Sequence, residues 1–351
     1  ILNYNINCFM KVNFTSFLVT EAMIYAAILF ALVNSAGRIA DGSMTIAQAL
    51  IVLMLSYSYF SAAKELMNAS HSALTAIAAA GKVEEILDTD TSRPYEPSLP
   101  EDPKHFEGIR MDHVSYGYEG RSRALQDISL TVPKGKTVAM VGLSGCGKST
   151  TASLLMRFCD PLSGNIYIEG NDYCSMKPEE LRKHIAMVPQ QVNLFSGTIR
   201  ENLLLADPGA KDAALLEALE EAGLGAFIRS QSKGLDSDVG NAGSSLSGGQ
   251  RQKMGIARAL LSRAEYMIFD EATSSVDPQS EKEIWKTIGH LAESRTLIII
   301  SHRMSSVQNA DCIYVLRDGR VAQHGTHEVL MAEAGLYKEL VVRQQAMEVA
   351  E

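Results

Sequence analysis

The stretch Thr137-Val-Ala-Met-Val-Gly142-Leu-Ser-Gly-Cys-Gly-Lys-Ser149 decides the fold class. Thr137–Val141 predicts a buried strand, and the rest matches the pattern G-x-x-x-x-G-K-[ST] in front of the helical run Thr150–Phe158. A glycine-rich turn between a strand and a helix lets backbone N–H groups converge on phosphate oxygens, and the helix N-terminus adds partial positive charge. The stretch therefore predicts an α/β domain that binds a nucleoside triphosphate.

The residues of this loop have different expected roles. We expect Lys148 to place a point charge between the β- and γ-phosphates and the Ser149 hydroxyl to bind Mg²⁺. Cys146 has two interpretations, a passive small side chain or a thiol that can be modified. The expected nucleotide-binding residues of the loop are Gly142, Leu143, Ser144, Gly145, Cys146, Gly147, Lys148, Ser149 and Thr150.

A second apolar run ends in two carboxylates. Tyr266–Phe269 predicts a buried strand, Asp270 follows it, and Glu271 comes next. Asp270 at the end of the strand can reach a magnesium ion, and Glu271 can polarise an attacking water as a general base. Taken alone, the pair is equally compatible with an ordinary strand end.

Three further strands are predicted downstream. They are Thr296–Ile300 and a hairpin of Ile313–Leu316 with Arg320–Gln323 across Asp318-Gly319. Near-continuous apolar strands that alternate with helical runs indicate a mainly parallel sheet covered on both faces.

The segment Leu246-Ser-Gly-Gly-Gln250 follows the phosphate loop by about 100 residues and precedes the acidic strand by about 20. The combination resembles the nucleotide-binding domain of ATP-binding cassette (ABC) transporters over residues 106–346. The resemblance implies a P-loop NTPase fold with a helical subdomain, ATP and Mg²⁺ as ligands, and ATPase activity. It also implies a role for four residues outside the loop. These are Tyr118 stacked on adenine, Gln190 on magnesium, Asp277 in the D-loop, and His302 at the γ-phosphate.

The signature segment implies a second anion site. Leu246, Ser247, Gly248, Gly249 and Gln250 precede the helical run Arg251–Leu261, so their amides and the helix N-terminus can bind phosphate. In the family, the signature and the phosphate loop lie on opposite edges of the domain. The resemblance therefore implies a head-to-tail dimer that encloses two ATP molecules, each between Lys148 of one chain and the signature of the other.

Two segments resemble the exporter branch, in which the membrane and ATPase domains share a chain. They are Leu194–Asn202 and Glu271–Asp277. Many exporters carry Gly-Glu shortly before the signature, whereas this chain has Gly240-Asn241. Asn241 keeps hydrogen bonding without charge, which leaves a role at the membrane domain's coupling helices in doubt.

The N-terminal region is apolar. Ser16–Ala36 and Met44–Ala63 are each about 30 Å long as helices, which matches the hydrocarbon thickness of a bilayer. Residues 1–90 are predicted to form a transmembrane hairpin turning at Gly37–Ser43, with a cytoplasmic helical extension after Ala63. Glu21 favours the alternative, a buried hairpin of a soluble protein. Residues 91–105 hold four prolines and predict a linker.

Composition limits the remaining possibilities. The chain has 351 residues and a net charge of −9, from 32 basic and 41 acidic residues. An acidic balance argues against a protein that coats nucleic acid and against a soluble ABC ATPase acting on chromosomes or ribosomes. The five cysteines are scattered without a C-x-x-C pair, which predicts reduced thiols and no zinc site.

The expected protein is one half of an exporter in the cell membrane, multi-pass, with its nucleotide-binding domain in the cytoplasm. The chain starts with Ile1, so we expect it to begin inside a longer protein and the hairpin to be the last two of six membrane helices. Its expected partners are the lipid bilayer and a second half-transporter, identical or different. The sequence does not indicate which substrate is carried.

Overall fold

The structure is a computed structural model that describes residues 2–88, 106–118, 123–274 and 276–348. The chain divides into two units, Ile1–Arg93 and Pro94–Glu351. The whole of the predicted linker over 91–105 lies outside the described residues, and so do residues 349–351.

The first unit contains two long helices, α1 (Leu2–Ala40) and α2 (Ile46–Leu87). Thr45 starts α2 through a capping box: its side chain accepts from the Gln48 N–H, and the Gln48 side chain accepts from the Thr45 N–H. The turn is shorter than the predicted Gly37–Ser43, because α1 continues through Gly37 to Ala40. The second helix runs without a break beyond the predicted end of the span at Ala63.

Both helices contain segments long and apolar enough to cross a membrane, Glu21–Ala40 and Ile46–Leu87. Among the described residues of this unit, only Ser35 and Ala49 are buried. Large apolar side chains are therefore exposed along both helices, which a core hairpin of a soluble unit would not show. Glu21 of α1 and Lys64 of α2 form an ion pair between the two helices.

The second unit is an α/β domain. Its strands are β1 (Gly108–Gly117), β2 (Arg123–Pro133), β3 (Thr137–Gly142), β4 (Ser163–Ile168), β5 (Asn171–Asp172), β6 (Ile185–Val188), β7 (Tyr266–Asp270), β8 (Thr296–Ile300), β9 (Cys312–Arg317) and β10 (Arg320–Gly325). Its helices are α3 (Lys148–Leu155), α4 (Pro178–His184), α5 (Ile199–Leu204), α6 (Asp212–Glu221), α7 (Gly225–Ser230), α8 (Gly248–Leu261), α9 (Pro278–Ala292), α10 (His327–Ala332) and α11 (Leu336–Glu348).

The central sheet has six strands in the order β10-β9-β3-β8-β7-β6, and all neighbours except β10 and β9 are parallel. Successive residues of β3 alternate between two cores: Ala139 and Val141 pack into one, and Val138 and Met140 into the other. The sheet is therefore buried on both faces, as its continuous apolar strands predict.

A second, antiparallel sheet of order β2-β1-β4-β5 was not predicted from the sequence. Its longest pairing is interrupted by register shifts, the first between Met111 and Val114 of β1. A bulge of this kind breaks the alternation of inward and outward side chains from which a strand is recognised. The expectation of a mainly parallel sheet therefore holds for the central sheet alone.

Helices α5 to α8 lie in the chain between β6 and β7 and form the expected helical subdomain. Leu215 and Leu219 of α6 are fully buried in the same core as Met254 of α8 and Ile228 of α7. That core continues onto one face of the central sheet, so the subdomain is packed on the sheet rather than attached by a linker.

Candidate active site

A cavity of about 320 Å³ lies beside the loop that follows β3. This is where open α/β sheets place their ligands, since parallel strands end at a common edge. All the residues around the cavity are candidates from the sequence. They are Ser144, Gly145, Gly147, Lys148, Ser149, Thr150, Gln190 and Glu271.

The glycines of the phosphate loop are required by its backbone. Gly142 has φ +152°, and a Cβ there would lie 2.3 Å from the Leu316 carbonyl oxygen. Gly147 has φ +109°, and its Cβ would lie 2.4 Å from a methyl carbon of Leu125. A Cβ on Gly145 would meet nothing within 4 Å, so this part of the loop faces open space.

Helix α3 begins inside the loop, at Lys148, two residues earlier than predicted. Its N-cap is Gly147, which has no side chain to cap the first turn. The N–H groups of that turn therefore lack the side-chain partner that most helix starts have. They are available to an anion at the positive end of the helix.

The Lys148 side chain is buried, with 5% exposure. Its ammonium donates to the carbonyl oxygens of Gly142 at 2.9 Å and Leu143 at 3.1 Å. Among the described residues no carboxylate pairs with it. A buried cation held only by neutral dipoles is suited to bind a phosphate.

Cys146 is buried below the loop, with its Sγ 3.8 Å from the Lys148 ammonium. A Cβ on Gly142 would lie 2.7 Å from that sulfur. The thiol fills the space under the loop, which favours the passive interpretation.

Asp270 ends β7 next to the phosphate loop. The Ser149 hydroxyl donates to its Oδ1 at 3.3 Å. Burial raises the pKa of Asp270, and the charge of Glu271 adds to this, whereas the Ser149 hydrogen bond and the charge of Lys148 oppose it. The carboxylate and the hydroxyl together offer two hard oxygen atoms.

Glu271 lies in the left-handed region, with φ +48°. A side chain other than glycine is seldom found there, and such strain is typical of functional sites. The Glu271 N–H donates to the Ile300 carbonyl at 2.9 Å, which ties it to the end of the neighbouring strand β8. His302 follows that strand, and its Nδ1 lies 3.4 Å from Glu271 Oε1.

Gln190 follows β6 and borders the cavity. Its Nε2 donates to the Ser274 hydroxyl at 3.0 Å. Gln252 of α8 is almost fully buried, and its Nε2 donates to the carbonyl of Pro189 at 2.9 Å. Ser274 and Gln252 were not predicted from the sequence, where their only signal is their position beside the acidic strand and the signature.

Tyr118 is 44% exposed. Its ring meets that of Tyr116 edge to face, with centroids 5.1 Å apart, and its hydroxyl lies 3.5 Å from Thr150 Oγ1. The structure therefore places an exposed aromatic ring beside the start of α3, a position open to a stacking ligand.

The signature segment leads into α8, whose first turn is capped by a side chain, unlike that of α3. Ser247 caps α8 in a capping box with Gln250, so the helix begins at Gly248, three residues before the predicted start. A Cβ on Gly249 would lie 2.5 Å from the Ser280 side chain of α9, so the two helices meet closely there. The predicted start was too late because two glycines suggested a loop.

None of the signature residues borders the 320 Å³ cavity. Gly248 borders a separate cavity of about 330 Å³, which shares only Gln190 with the first. Asp277 also lies apart from the first cavity and caps α9 by accepting from the Ser280 N–H, which lowers the pKa of its carboxyl. Asn241 accepts a hydrogen bond from the Ser196 hydroxyl at 3.2 Å.

Residues 125–274 match the ABC transporter family. The chain is 44% identical over 240 residues to the ABC-type transporter fsqE of Aspergillus fumigatus, covering 67% of this chain and 19% of that protein. It is 37% identical over 328 residues to the ATP-dependent lipid A-core flippase of Chromobacterium violaceum, covering 92% of this chain and 55% of that protein.

A solved structure is similar over both units. It is described as a bacterial Atm1-family ABC exporter with ATP bound. The TM-score is 0.68 at 32% identity, covering 93% of this chain and 58% of that one. The chain thus spans between 19% and 55% of the first two relatives and 58% of this exporter.

Proposed function

This chain belongs to the ABC transporter family, and we propose that it binds and hydrolyses ATP to drive the export of a substrate across a membrane. One observation carries the proposal. A single cavity gathers Lys148, Ser149, Gln190 and Glu271 at the ends of parallel strands. Asp270 contacts Ser149, and His302 contacts Glu271, which completes a set of groups for phosphoryl transfer to water.

ATP would lie along the phosphate loop. The uncapped first turn of α3 and the buried Lys148 would hold its β- and γ-phosphates. The exposed ring of Tyr118 would stack on the adenine, since it lies beside Thr150 at the start of the same helix. In this arrangement ATP lies against the loop residues from Gly142 to Thr150.

The donor set fits Mg²⁺. Ser149, Gln190 and Asp270 offer a hydroxyl, an amide oxygen and a carboxylate, all hard oxygen ligands. Among the described residues no cluster of three or more His, Cys, Asp or Glu could hold a metal. Mg²⁺ at nucleotide sites is usually bound by one or two carboxylates together with substrate phosphates and water. When bound, Mg²⁺ supplies neutralising charge to the phosphates.

Glu271 would act as general base. It takes a proton from a water as the water oxygen bonds to the γ-phosphorus, while the bond from that phosphorus to the β,γ-bridging oxygen breaks. The products are ADP and inorganic phosphate. His302 would contact the γ-phosphate and hold Glu271 in position through the 3.4 Å contact.

The signature is the reason to propose a dimer. Its residues lie outside the cavity that holds Lys148, so one chain supplies only part of the surroundings of its own nucleotide. A second copy of this chain has both an intact phosphate loop and an intact signature. We therefore propose a head-to-tail pair in which Ser247 and Gly249 of each copy face the ATP held by the other.

The membrane part of the proposal rests on α1 and α2. They would cross the bilayer as part of a multi-pass domain, with residues 106–346 in the cytoplasm and 91–105 as the linker. Residues 1–90 would be one section of that domain, since the relatives are longer than this chain. The exposed apolar side chains of both helices support lipid as their surroundings.

Purified full chain in detergent tests the proposal. We expect ATP hydrolysis that requires Mg²⁺ and is lost in Glu271→Gln. We also expect the protein to sediment with membranes and to need detergent for release. Hydrolysis that Glu271→Gln leaves unchanged would contradict the assigned chemistry, and release from membranes by salt alone would contradict the membrane part.

A further inference from the structure

A third cavity, which the proposed function does not use, lies between α9 and the central sheet. Its volume is about 500 Å³, within the usual range of small-molecule sites. None of the residues that border the phosphate cavity borders this one. We call it the α9 cavity. Its apolar wall contains Trp285, Ile288, Leu297 and Ile299.

The aromatic part of the cavity wall is the indole ring of Trp285. Trp285 is neither buried nor fully exposed, and its Nε1 donates to Glu281 Oε1 at 3.4 Å. The hydrogen bond fixes one edge of the indole, while the ring borders the cavity. A ring held in this way offers a flat apolar surface on which an aromatic ligand can stack.

The charges at the cavity favour an anion. Its charged residues are Glu281, Lys282 and Arg303. Glu281 is already engaged: it accepts from Thr273 Oγ1 at 3.2 Å and from Trp285, and it pairs with Arg303. Lys282 is exposed and forms no ion pair with any residue that the structure describes. Two cations therefore face one carboxylate, which leaves the rim positive.

We propose that the α9 cavity binds a small aromatic organic anion, with its ring against Trp285 and its carboxylate or sulfonate near Lys282. The volume, the apolar wall and the positive rim each match one part of such a ligand. The proposal does not depend on ATP hydrolysis, because it uses no residue of the phosphate cavity.

The position of Gly289 makes the site testable. Gly289 lies in α9 and borders the cavity, and a Cβ there would meet nothing within 4 Å. The Cβ of a leucine at this position would lie in open space beside the cavity, and leucine forms helices better than glycine. His290 is the next residue of the same helix, is exposed and does not border the cavity. His290→Leu is therefore the matched control.

The test uses the only tryptophan of the chain, Trp285. The full chain in detergent, with excess Mg-ATP, is titrated with 1-anilinonaphthalene-8-sulfonate while tryptophan is excited. We expect saturable quenching of Trp285 with sensitised emission from the dye. Gly289→Leu should weaken this binding by at least about tenfold, equivalent to 1.4 kcal/mol, and His290→Leu should leave it unchanged.

Two further measurements test the charge. Lys282→Gln should weaken binding about two- to fivefold, as for a partly exposed ion pair. N-phenyl-1-naphthylamine, which lacks the sulfonate, should bind more weakly than the anionic dye. A Gly289→Leu titration that coincides with wild type would overturn the site, and equal affinity for the two dyes would overturn the anionic class. Because ATP turnover is not measured, these failures are distinct from a failure of the proposed function.

Discussion

The phosphate loop (residues 142–149) and the signature segment (residues 246–250) both place glycines at the start of a helix, but they leave the first turn of that helix in different states. In the phosphate loop the N-cap is Gly147, and no side chain caps α3. In the signature segment Ser247 and Gln250 cap α8 reciprocally. One helix start is prepared for an external anion, whereas the other has already satisfied part of its own N–H groups.

The side chains around the phosphate loop also differ from those around the signature segment. The Lys148 ammonium, the Ser149 hydroxyl and the Glu271 carboxylate border the cavity beside the phosphate loop, whereas no signature residue borders that cavity. Glycines at a helix start are therefore not sufficient for a complete nucleotide site. In our proposal the chemistry takes place at the phosphate loop, and the signature contributes to it only from another copy.

The largest expected effect is on chemistry at the phosphate loop. Glu271→Gln removes the proposed general base and keeps the size of the side chain, so turnover should fall by about 10²–10⁴-fold. ATP binding should persist, because the groups that hold the phosphates are unchanged. Steady-state phosphate release and equilibrium ATP binding measure the two effects. Glu265→Gln is the control, since Glu265 stands before the other end of β7 and bonds to Lys134; equal losses in both variants would contradict the assignment.

The next effect is on nucleotide affinity. Lys148→Met removes a charged donor, so ATP should bind about 10- to 100-fold more weakly. The control is Lys136→Met, which changes an exposed lysine paired with Asp311 just before β3. Equilibrium binding of labelled ATP compares them. Unchanged affinity in Lys148→Met would show that this loop is not the prepared anion site.

A smaller effect concerns the metal. Ser149→Ala removes one proposed ligand, so the Mg²⁺ concentration for half-maximal hydrolysis should rise about two- to tenfold. Ser153→Ala alters a serine one turn further along α3, whose hydroxyl donates to the Ser149 carbonyl. It should leave the magnesium requirement as in wild type. A Ser149→Ala protein with the wild-type requirement would remove Ser149 from the magnesium site.

The smallest effect is on stability and belongs to the signature segment. Ser247→Ala removes the cap of α8 and should lower the free energy of unfolding by about 1 kcal/mol. For a domain of this size, that corresponds to a fall in Tm of about 2–4 °C. Ser247→Asn keeps a capping side chain and should retain the wild-type Tm. If Ser247→Ala and Ser247→Asn have the same Tm, the Ser247 side chain does not stabilise α8 as its cap, and the contrast with the uncapped α3 fails.

The sequence predicted the elements whose signal is local. The strand at Thr296–Ile300 was predicted to the residue, and β3 and β7 within one residue, because each is a short apolar run bounded by clear turns. The family resemblance implied that Lys148, Gln190 and Glu271 act at one nucleotide. In the structure all three border one cavity, because parallel strands end at a common edge.

The remaining features depend on contacts that spacing does not encode. The antiparallel sheet was missed because the shift between Met111 and Val114 breaks its alternation. The left-handed backbone of Glu271 is imposed by the turn out of β7, and nothing in its neighbours indicates it. The start of α8 at Gly248 depends on Ser247 as its cap and on the close approach of Gly249 to Ser280.

Retention of ATP by mixed chains tests most directly whether each site combines the phosphate loop of one copy with the signature of another. In a Glu271→Gln background, chains that also carry Lys148→Met and chains that also carry Ser247→Arg are co-expressed, and bound ATP is measured after free ATP is removed. Each double variant alone should retain none. Random pairing into symmetric dimers gives mixed pairs with one intact site, so about a quarter of the ATP held by Glu271→Gln should be recovered. Recovery no greater than that of either double variant alone, while Glu271→Gln itself retains ATP, would contradict the shared site.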